Sequence, residues 1–302
     1  MLNPLSWHIE PTSRCTLECP GCDRTWFKKT FKFQHIHDIN VNHLIKFFEV
    51  NNFTNSEINL CGNNGDAIYH PNFIELITKL KSQNHTINLN TNGSAKKEKF
   101  WQEVCSILDT DDKITFAIDG LEDTNHLYRK NSNWDQIMTA IKIVVESPVK
   151  CIWKFIVFKH NQHQINQAKT LADKLNIDYF HLYKSFRWVD KSYHEFMPDK
   201  EFISDNYDDQ LKIIDNEQNE RFMVPYCKTN KLIYIDAEGN IYPCCESGSY
   251  RFKNKNVFGK NPINISQGKF TLSPTHKNFL SDTQEWQNAQ LVCRLHCSKK
   301  TI

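Results

Sequence analysis

The 302-residue chain has no run of about 18 apolar residues, so the sequence predicts no membrane-spanning helix. Residues 1–14 lack both a basic start and an apolar stretch long enough for a secretory signal. Charge of neither sign dominates: 37 Lys and Arg stand against 35 Asp and Glu, a net charge of +2. That balance gives no footprint for nucleic acid or an anionic membrane, and Lys28-Lys29 and Lys299-Lys300 read as solvated faces. No internal repeat or low-complexity tract is present, which excludes repeat architectures. With 39% hydrophobic and 24% charged residues, what remains is an ordinary globular protein, long enough for one large α/β domain and a small one.

What is there is cysteine. Eleven cysteines without a secretion signal predict a reducing cytoplasm and metal ligation, not disulfides. Three of them, Cys15, Cys19 and Cys22, lie in PTSRCTLECPGC with the spacing C-x3-C-x2-C, directly after the strand-like run Trp7 to Glu10. Three thiolates in eight residues suit three irons of a cubane cluster that normally takes four Cys, leaving the fourth iron open for chemistry. Structural zinc is the rival. Zinc favours a C-x2-C knuckle paired with a second one, and no fourth ligand lies nearby in the sequence.

Short β-rich runs alternate with amphipathic stretches from residue 7 to about 183. The predicted strands are Trp7–Glu10, Glu57–Cys61, Thr86–Asn90, Lys113–Ile118, Cys151–Phe158 and Tyr179–Tyr183. Between them, apolar residues recur at helical spacing, as in Phe73, Ile74, Ile77 and Leu80. This pattern predicts parallel βαβ units, and six of them suit an open, partial (β/α)6 TIM-type barrel over residues 1–183. Functional residues are then expected at the carboxyl ends of the strands. Residues 184–222, without clear periodicity, read as a linker lying against the barrel. Residues 223–302 read as a small α+β domain: KLIYIDAEGNIYPCC predicts a β-hairpin turning at Ala237-Glu238-Gly239-Asn240, and 277–297 is largely helical in pattern.

The cysteine motif resembles the signature of the radical S-adenosylmethionine (radical SAM) superfamily. The resemblance implies a 4Fe-4S cluster whose open iron holds the amine and carboxylate of S-adenosylmethionine and whose electron cleaves it to a 5'-deoxyadenosyl radical. Gly21 stands where the family usually has an aromatic residue, which directs the adenine to another apolar wall, at Trp26 or Phe27. In INLCGNNGDAIYHP, the glycines permit positive φ and close backbone approach, and a tight strand-to-helix turn is the plain alternative. There Asn64-Gly65-Asp66, following Gly62, resembles the family's Gly-Gly-Glu element, which holds the methionine amine, and the resemblance implies cofactor contacts at Gly62, Asn64, Gly65 and Asp66. Asn92 follows the third strand, where relatives place a polar residue beside the cofactor. Asp119-Gly120 and Arg129 resemble an S-x-D-G…R pattern, with Ala117 in the place of the serine. Arg129 is implied to pair with the methionine carboxylate, and a surface salt bridge with Glu122 or Asp123 is the alternative. Asn161 is a cofactor contact by resemblance, whereas His160 and His163 read as ordinary loop residues.

The C-terminal quarter carries Cys227, Cys244, Cys245, Cys293 and Cys297. The order C-x11-G-x4-C, from Cys227 through Gly239 to Cys244, resembles the opening of a SPASM or twitch extension. Five cysteines fit the one-cluster twitch form, which implies a second 4Fe-4S cluster on Cys227, Cys244, Cys293 and Cys297, with Cys245 on the opposite face of the strand. A four-cysteine zinc site is the rival there. Cys61, Cys105 and Cys151 read as small core residues. Together these readings predict a cytoplasmic, oxygen-sensitive radical SAM oxidoreductase, served by an electron donor such as flavodoxin or ferredoxin, with no nucleic-acid or membrane partner. Net oxidation of a small molecule (sugar, aminocyclitol or nucleotide) is favoured, because the first strand starts too early for the N-terminal recognition domain common in peptide maturases. A peptide-modifying maturase is the alternative, and a zinc-stabilised binding module is the non-enzyme reading. The tail lacks the C-x2-C…C arrangement of molybdopterin-type cyclases, which argues against that reaction.

Overall fold

Alternation of apolar and polar side chains sets the strands, and the apolar set decides which face the helices cover. In the computed structural model, residues 6–32, 36–185, 188, 191–205, 232–242, 245, 264–268 and 270–271 are described. Strands β1 (Ser6–Ile9), β2 (Glu57–Leu60), β3 (Thr86–Thr91), β4 (Lys113–Ala117), β5 (Lys150–Ile156) and β6 (Tyr179–Tyr183) run parallel to their neighbours. On one face Trp7, Ile9, Ile58, Leu60, Ile87, Leu89, Ile114, Phe116, Trp153 and Phe155 are buried. The alternate positions, such as His8, Asn59, Asn88 and Asn90, are only partly covered.

Helices α1 (Asp23–Phe31), α2 (Val41–Asn51), α3 (Phe73–Ser82), α4 (Glu98–Ile107), α5 (Asn125–Tyr128), α6 (Trp134–Val145) and α7 (Ile165–Lys174) alternate with the strands. Buried Leu44, Phe47 and Phe48 of α2 meet Trp7, whose ring centroid lies 5.7 Å from Phe47 and 5.0 Å from Phe48. Asn40 and Asn133 cap α2 and α6 by accepting from the backbone N–H of His43 and Gln136. With nine glycines in the chain, asparagine takes over the left-handed positions: Asn52, Asn55, Asn84, Asn131 and Asn176 all have positive φ.

The six predicted strands and their parallel order are as expected, and the sheet does not close. The sheet order is β6-β5-β4-β3-β2-β1-β7-β8, so the hairpin of β7 (Leu232–Ile235) and β8 (Ile241–Tyr242) extends the barrel sheet beyond β1. Strand β7 runs parallel to β1, with Ser6 opposite Leu232 and Ile9 opposite Ile235. Its turn is the expected one: Asp236 Oδ1 accepts from the N–H of Glu238 and Asn240, and Gly239 sits at φ +85°. Among the described residues the hairpin is part of the main sheet. The boundary at 223, the helix over 277–297 and Cys227, Cys244, Cys293 and Cys297 lie outside the described residues.

After β6, described residues between 188 and 203 pack on the barrel, and 206–222 lie outside the described residues. Trp188, Tyr193 and Ile203 form a second apolar cluster with Tyr128, Ile156 and Phe158, and Cys19 packs on its edge. Tyr128 stacks on Phe158 with centroids 4.1 Å apart. Among the described residues no helix is long and apolar enough to cross a membrane.

Candidate active site

Parallel strands bring the loops after β1, β2, β3 and β4 to one rim, and backbone hydrogen bonds lock those loops together. Cys61 N donates to Ile9 O at 3.1 Å, Asp66 N to Arg14 O at 2.9 Å, and Glu18 N to Lys130 O at 3.1 Å. They enclose a cavity of about 270 Å³ lined by Cys15, Cys19 and Cys22, by Gly62 to Asp66, and by Asn92 and Arg129. Leu17, Tyr128 and Ile156 supply its apolar wall. Trp26 and Phe27, expected beside the adenine, do not line it; both pack on Phe31 of α1 instead.

The cysteine loop ends as a helix begins: Cys22 N donates to Cys19 O at 3.1 Å, and Trp26 N to Cys22 O at 3.0 Å. The amino end of α1 therefore carries Cys22 as its cap residue. Burial, with the Asp66 carboxylate beside it, pushes the Cys15 thiol up to about 12, and burial raises Cys19 as well. Loading with metal must therefore displace protons from these thiols. Among the described residues no three His, Cys, Asp or Glu converge on a single ion. A cubane asks for a wider arrangement, because its thiolates bind different irons. The residues present fit such a cluster with a ligand on its open iron: three thiols share one cavity, and Asn64, also on its wall, has a buried Oδ1 without a hydrogen-bond partner.

The glycines of the second loop are required by packing, not by positive φ. A Cβ on Gly65 would lie 1.9 Å from Thr12 O, and one on Gly62 would lie 2.5 Å from Gly65 O. Asp66 is buried and engaged: its Oδ2 accepts from Asn92 N at 2.7 Å and from Thr91 Oγ1 at 3.1 Å, and its Oδ1 accepts from Ile68 N at 3.4 Å. Burial nevertheless pushes it up to about 6, so an ammonium in the cavity would shift it toward the carboxylate. Asn92 adds a donor to Cys15 Sγ at 3.7 Å.

Asp119 and Asn161 do not line the cavity. Both are fully buried and brace the rim. Asn161 donates to Asp119 O and Ile156 O, each at 2.9 Å, and accepts from Phe158 N at 2.8 Å. Asp119 accepts from Ile156 N at 2.8 Å and from Arg129 Nε at 2.7 Å. Arg129 is thus paired, but with Asp119 and not with Glu122 or Asp123, and it still lines the cavity. Burial opposes its charge, yet Asp119, with Cys19 and Tyr128 nearby, holds its pKa above the ordinary value. Cys151 is a core residue as expected and Cys105 packs on the core, whereas Cys61 lines the cavity.

Two participants carry no spacing signal in the sequence. Glu10, at the end of β1, accepts from Asn64 N at 2.7 Å and Gly65 N at 2.8 Å. Arg24 of α1 lines the cavity and donates to Leu17 O within the cysteine loop.

Residues 9–170, more than half of the 302, match the family model of the Radical SAM superfamily. No curated protein matches the chain. Among solved structures, it is similar to SuiB of Streptococcus suis bound to S-adenosylmethionine, with TM-score 0.57 at 13% identity, over 93% of this chain and 68% of that one. It is also similar to native anSMEcpe with bound AdoMet, with TM-score 0.57 at 15% identity, over 92% of this chain and 83% of that one. At these identities the likeness is one of fold. The three thiols share one cavity on the barrel rim, and the chain belongs to the radical SAM superfamily.

Proposed function

We propose that Cys15, Cys19 and Cys22 hold a 4Fe-4S cluster and that the cavity beside them binds S-adenosylmethionine, for abstraction of hydrogen from a substrate. The observation that carries this reading is the convergence of all three thiols, the Gly62–Asp66 loop and Arg129 on one cavity. When bound, the cluster supplies the electron that splits S-adenosylmethionine into methionine and a 5'-deoxyadenosyl radical. The residues of this chain bind and orient. Asn64 and Asp66 present acceptors to the ammonium end, Asn92 holds Asp66 in place by donating to it, and the charge of Arg129, anchored by Asp119, is set for the carboxylate. Leu17, Tyr128 and Ile156 offer the adenosine an apolar wall that keeps water out.

In the same reading, Cys227, Cys244, Cys293 and Cys297 would hold an auxiliary 4Fe-4S cluster of the twitch type, which would supply an electron acceptor for net oxidation of a small molecule such as a sugar, aminocyclitol or nucleotide. Support comes from the hairpin: Gly239 makes the turn, and Asn63 Nδ2 donates to Cys245 O at 2.7 Å, which brings the cysteine-bearing end beside the cavity loop. A peptide substrate is the second reading, favoured by solved structures of SuiB bound to the precursor peptide SuiA and of anSMEcpe with AdoMet and a peptide. The physiological reductant would be a flavodoxin or ferredoxin in the cytoplasm.

Anaerobic reconstitution with iron and sulfide tests the first claim. Broad absorption near about 400 nm, with 5'-deoxyadenosine formed under dithionite, is expected; a colourless, zinc-loaded protein contradicts it. Stimulation of 5'-deoxyadenosine formation by a protease-resistant small-molecule fraction supports the oxidation reading, and stimulation abolished by protease supports the peptide one.

A further inference from the structure

Glu10 is a fully buried carboxylate placed directly before the cysteine loop. A carboxylate is stable there only with hydrogen bonds to spend its lone pairs on, and four donors supply them. Asn64 N and Gly65 N donate to Oε1 at 2.7 and 2.8 Å, Asn64 Nδ2 approaches Oε2 at 3.4 Å, and the hydroxyl of Tyr234 donates to Oε2. Burial raises the Glu10 pKa, opposed by the Tyr234 hydroxyl and the two N–H groups, and Oε2 accepts from the NH2 of Asn64, which turns its Oδ1 away from Glu10. That Oδ1 is the buried acceptor without a partner. Tyr234 is itself fully buried, on β7 of the C-terminal hairpin, with its ring against His8 of β1 at 5.0 Å. One carboxylate therefore joins three parts of the chain: β1, the cavity loop and the hairpin.

We infer that Glu10, backed by Tyr234, is a positioning residue for cofactor binding: it fixes the backbone of Asn64 and Gly65 and the orientation of the Asn64 amide, and so ties the cavity loop to the C-terminal hairpin. The inference rests on the reading that the cavity takes S-adenosylmethionine. Glu10 touches no reacting atom; it acts through Asn64 and Gly65.

The test measures the Kd for S-adenosylmethionine by anaerobic equilibrium dialysis, with iron content, on the reconstituted full chain and three variants. Glu10→Ala leaves two buried N–H groups without an acceptor and should weaken binding by about tenfold or more at the parent's iron content. Tyr234→Phe removes one hydroxyl and should weaken it by about threefold to tenfold, again with full iron. Glu10→Gln keeps an oxygen for both N–H groups but sets an NH2 against the Asn64 amide, so its affinity should fall between those of the parent and of Glu10→Ala, a partial rescue that loss of folding does not produce. If Glu10→Ala fails to fold, Tyr234→Phe decides alone. Parental affinity in Glu10→Ala or Tyr234→Phe overturns the inference, as does iron lost in step with binding, or a Gln variant as weak as the Ala one. A parent protein that binds no S-adenosylmethionine overturns the cavity reading and this inference together; a binding parent with unaffected variants overturns this one alone.

Discussion

At the scale of single residues, close contacts at the rim decide what the loops tolerate. Gly65→Ala would force a methyl group into Thr12 O, and overpacking of this kind costs about 1–3 kcal/mol. We expect that variant to lose S-adenosylmethionine affinity in titrations of reconstituted protein; parental affinity would show that the loop can shift. A second residue sets an acid limit. Burial lowers His85 to about 4, and its Nδ1 accepts from Ser56 N at 3.2 Å. The unfolded imidazole, at its ordinary value of about 6.5, takes up a proton that the folded one refuses. Its stabilising contribution is therefore complete above pH about 6.5 and is lost as pH falls toward 4, by up to roughly 1.4 kcal/mol per unit. Urea unfolding at pH 7 and at pH 4.5 should show a smaller acid loss for His85→Leu than for the parent. Equal losses would remove His85 from the account.

Residue roles were unevenly legible. Cys15, Cys19 and Cys22 announce themselves by spacing, and the structure brings them together. A lone Glu10 before a proline gives no such signal, because its role depends on Asn64, Gly65 and Tyr234, which reach it only through the fold. Asn161 was misleading for the opposite reason. A polar residue after a strand suits a ligand contact, but here the backbone of Asp119, Ile156 and Phe158 takes its whole amide.

At the scale of elements, the alternation of side chains made β1 to β6 readable, since apolar faces at period two cannot be buried any other way. Helices α1 and α5 were missed. The first is a polar helix with an exposed aromatic edge at Trp26 and Phe31, and the second is a single turn. That turn matters because it carries Arg129 back to Asp119, an ion pair with side-chain exposures of 16% and 0%. Removing one partner of such a pair costs about 3–5 kcal/mol, because the other charge stays buried. Arg129→Ala should therefore destabilise strongly in denaturant unfolding, and Arg129→Met with Asp119→Asn should recover most of that loss. If Arg129 meets the methionine carboxylate, the double variant regains stability without regaining affinity. Recovery of both would assign Arg129 to the rim alone.

At the scale of the whole molecule, the hairpin shows where reading by segments stops. Its strands and turn were legible from LIYI and AEGN, but not its partner, because pairing of β7 with β1 joins residues more than two hundred positions apart. The parallel pairing makes the hairpin an edge of the barrel sheet and places Tyr234 next to Glu10. An auxiliary cluster on Cys227, Cys244, Cys293 and Cys297 predicts that a Cys15/Cys19/Cys22→Ala triple variant retains about four irons per chain, as one cubane holds. Near-zero iron with stoichiometric zinc would assign the tail a structural metal instead.

That triple variant also serves the most direct measurement of the central claim, which is 5'-deoxyadenosine formed from S-adenosylmethionine under dithionite by the anaerobically reconstituted chain. The parent should form it and the triple variant none, since an auxiliary cluster held by four thiolates would leave no open iron. Undiminished formation by the triple variant would contradict the assignment of Cys15, Cys19 and Cys22 as the site of cleavage.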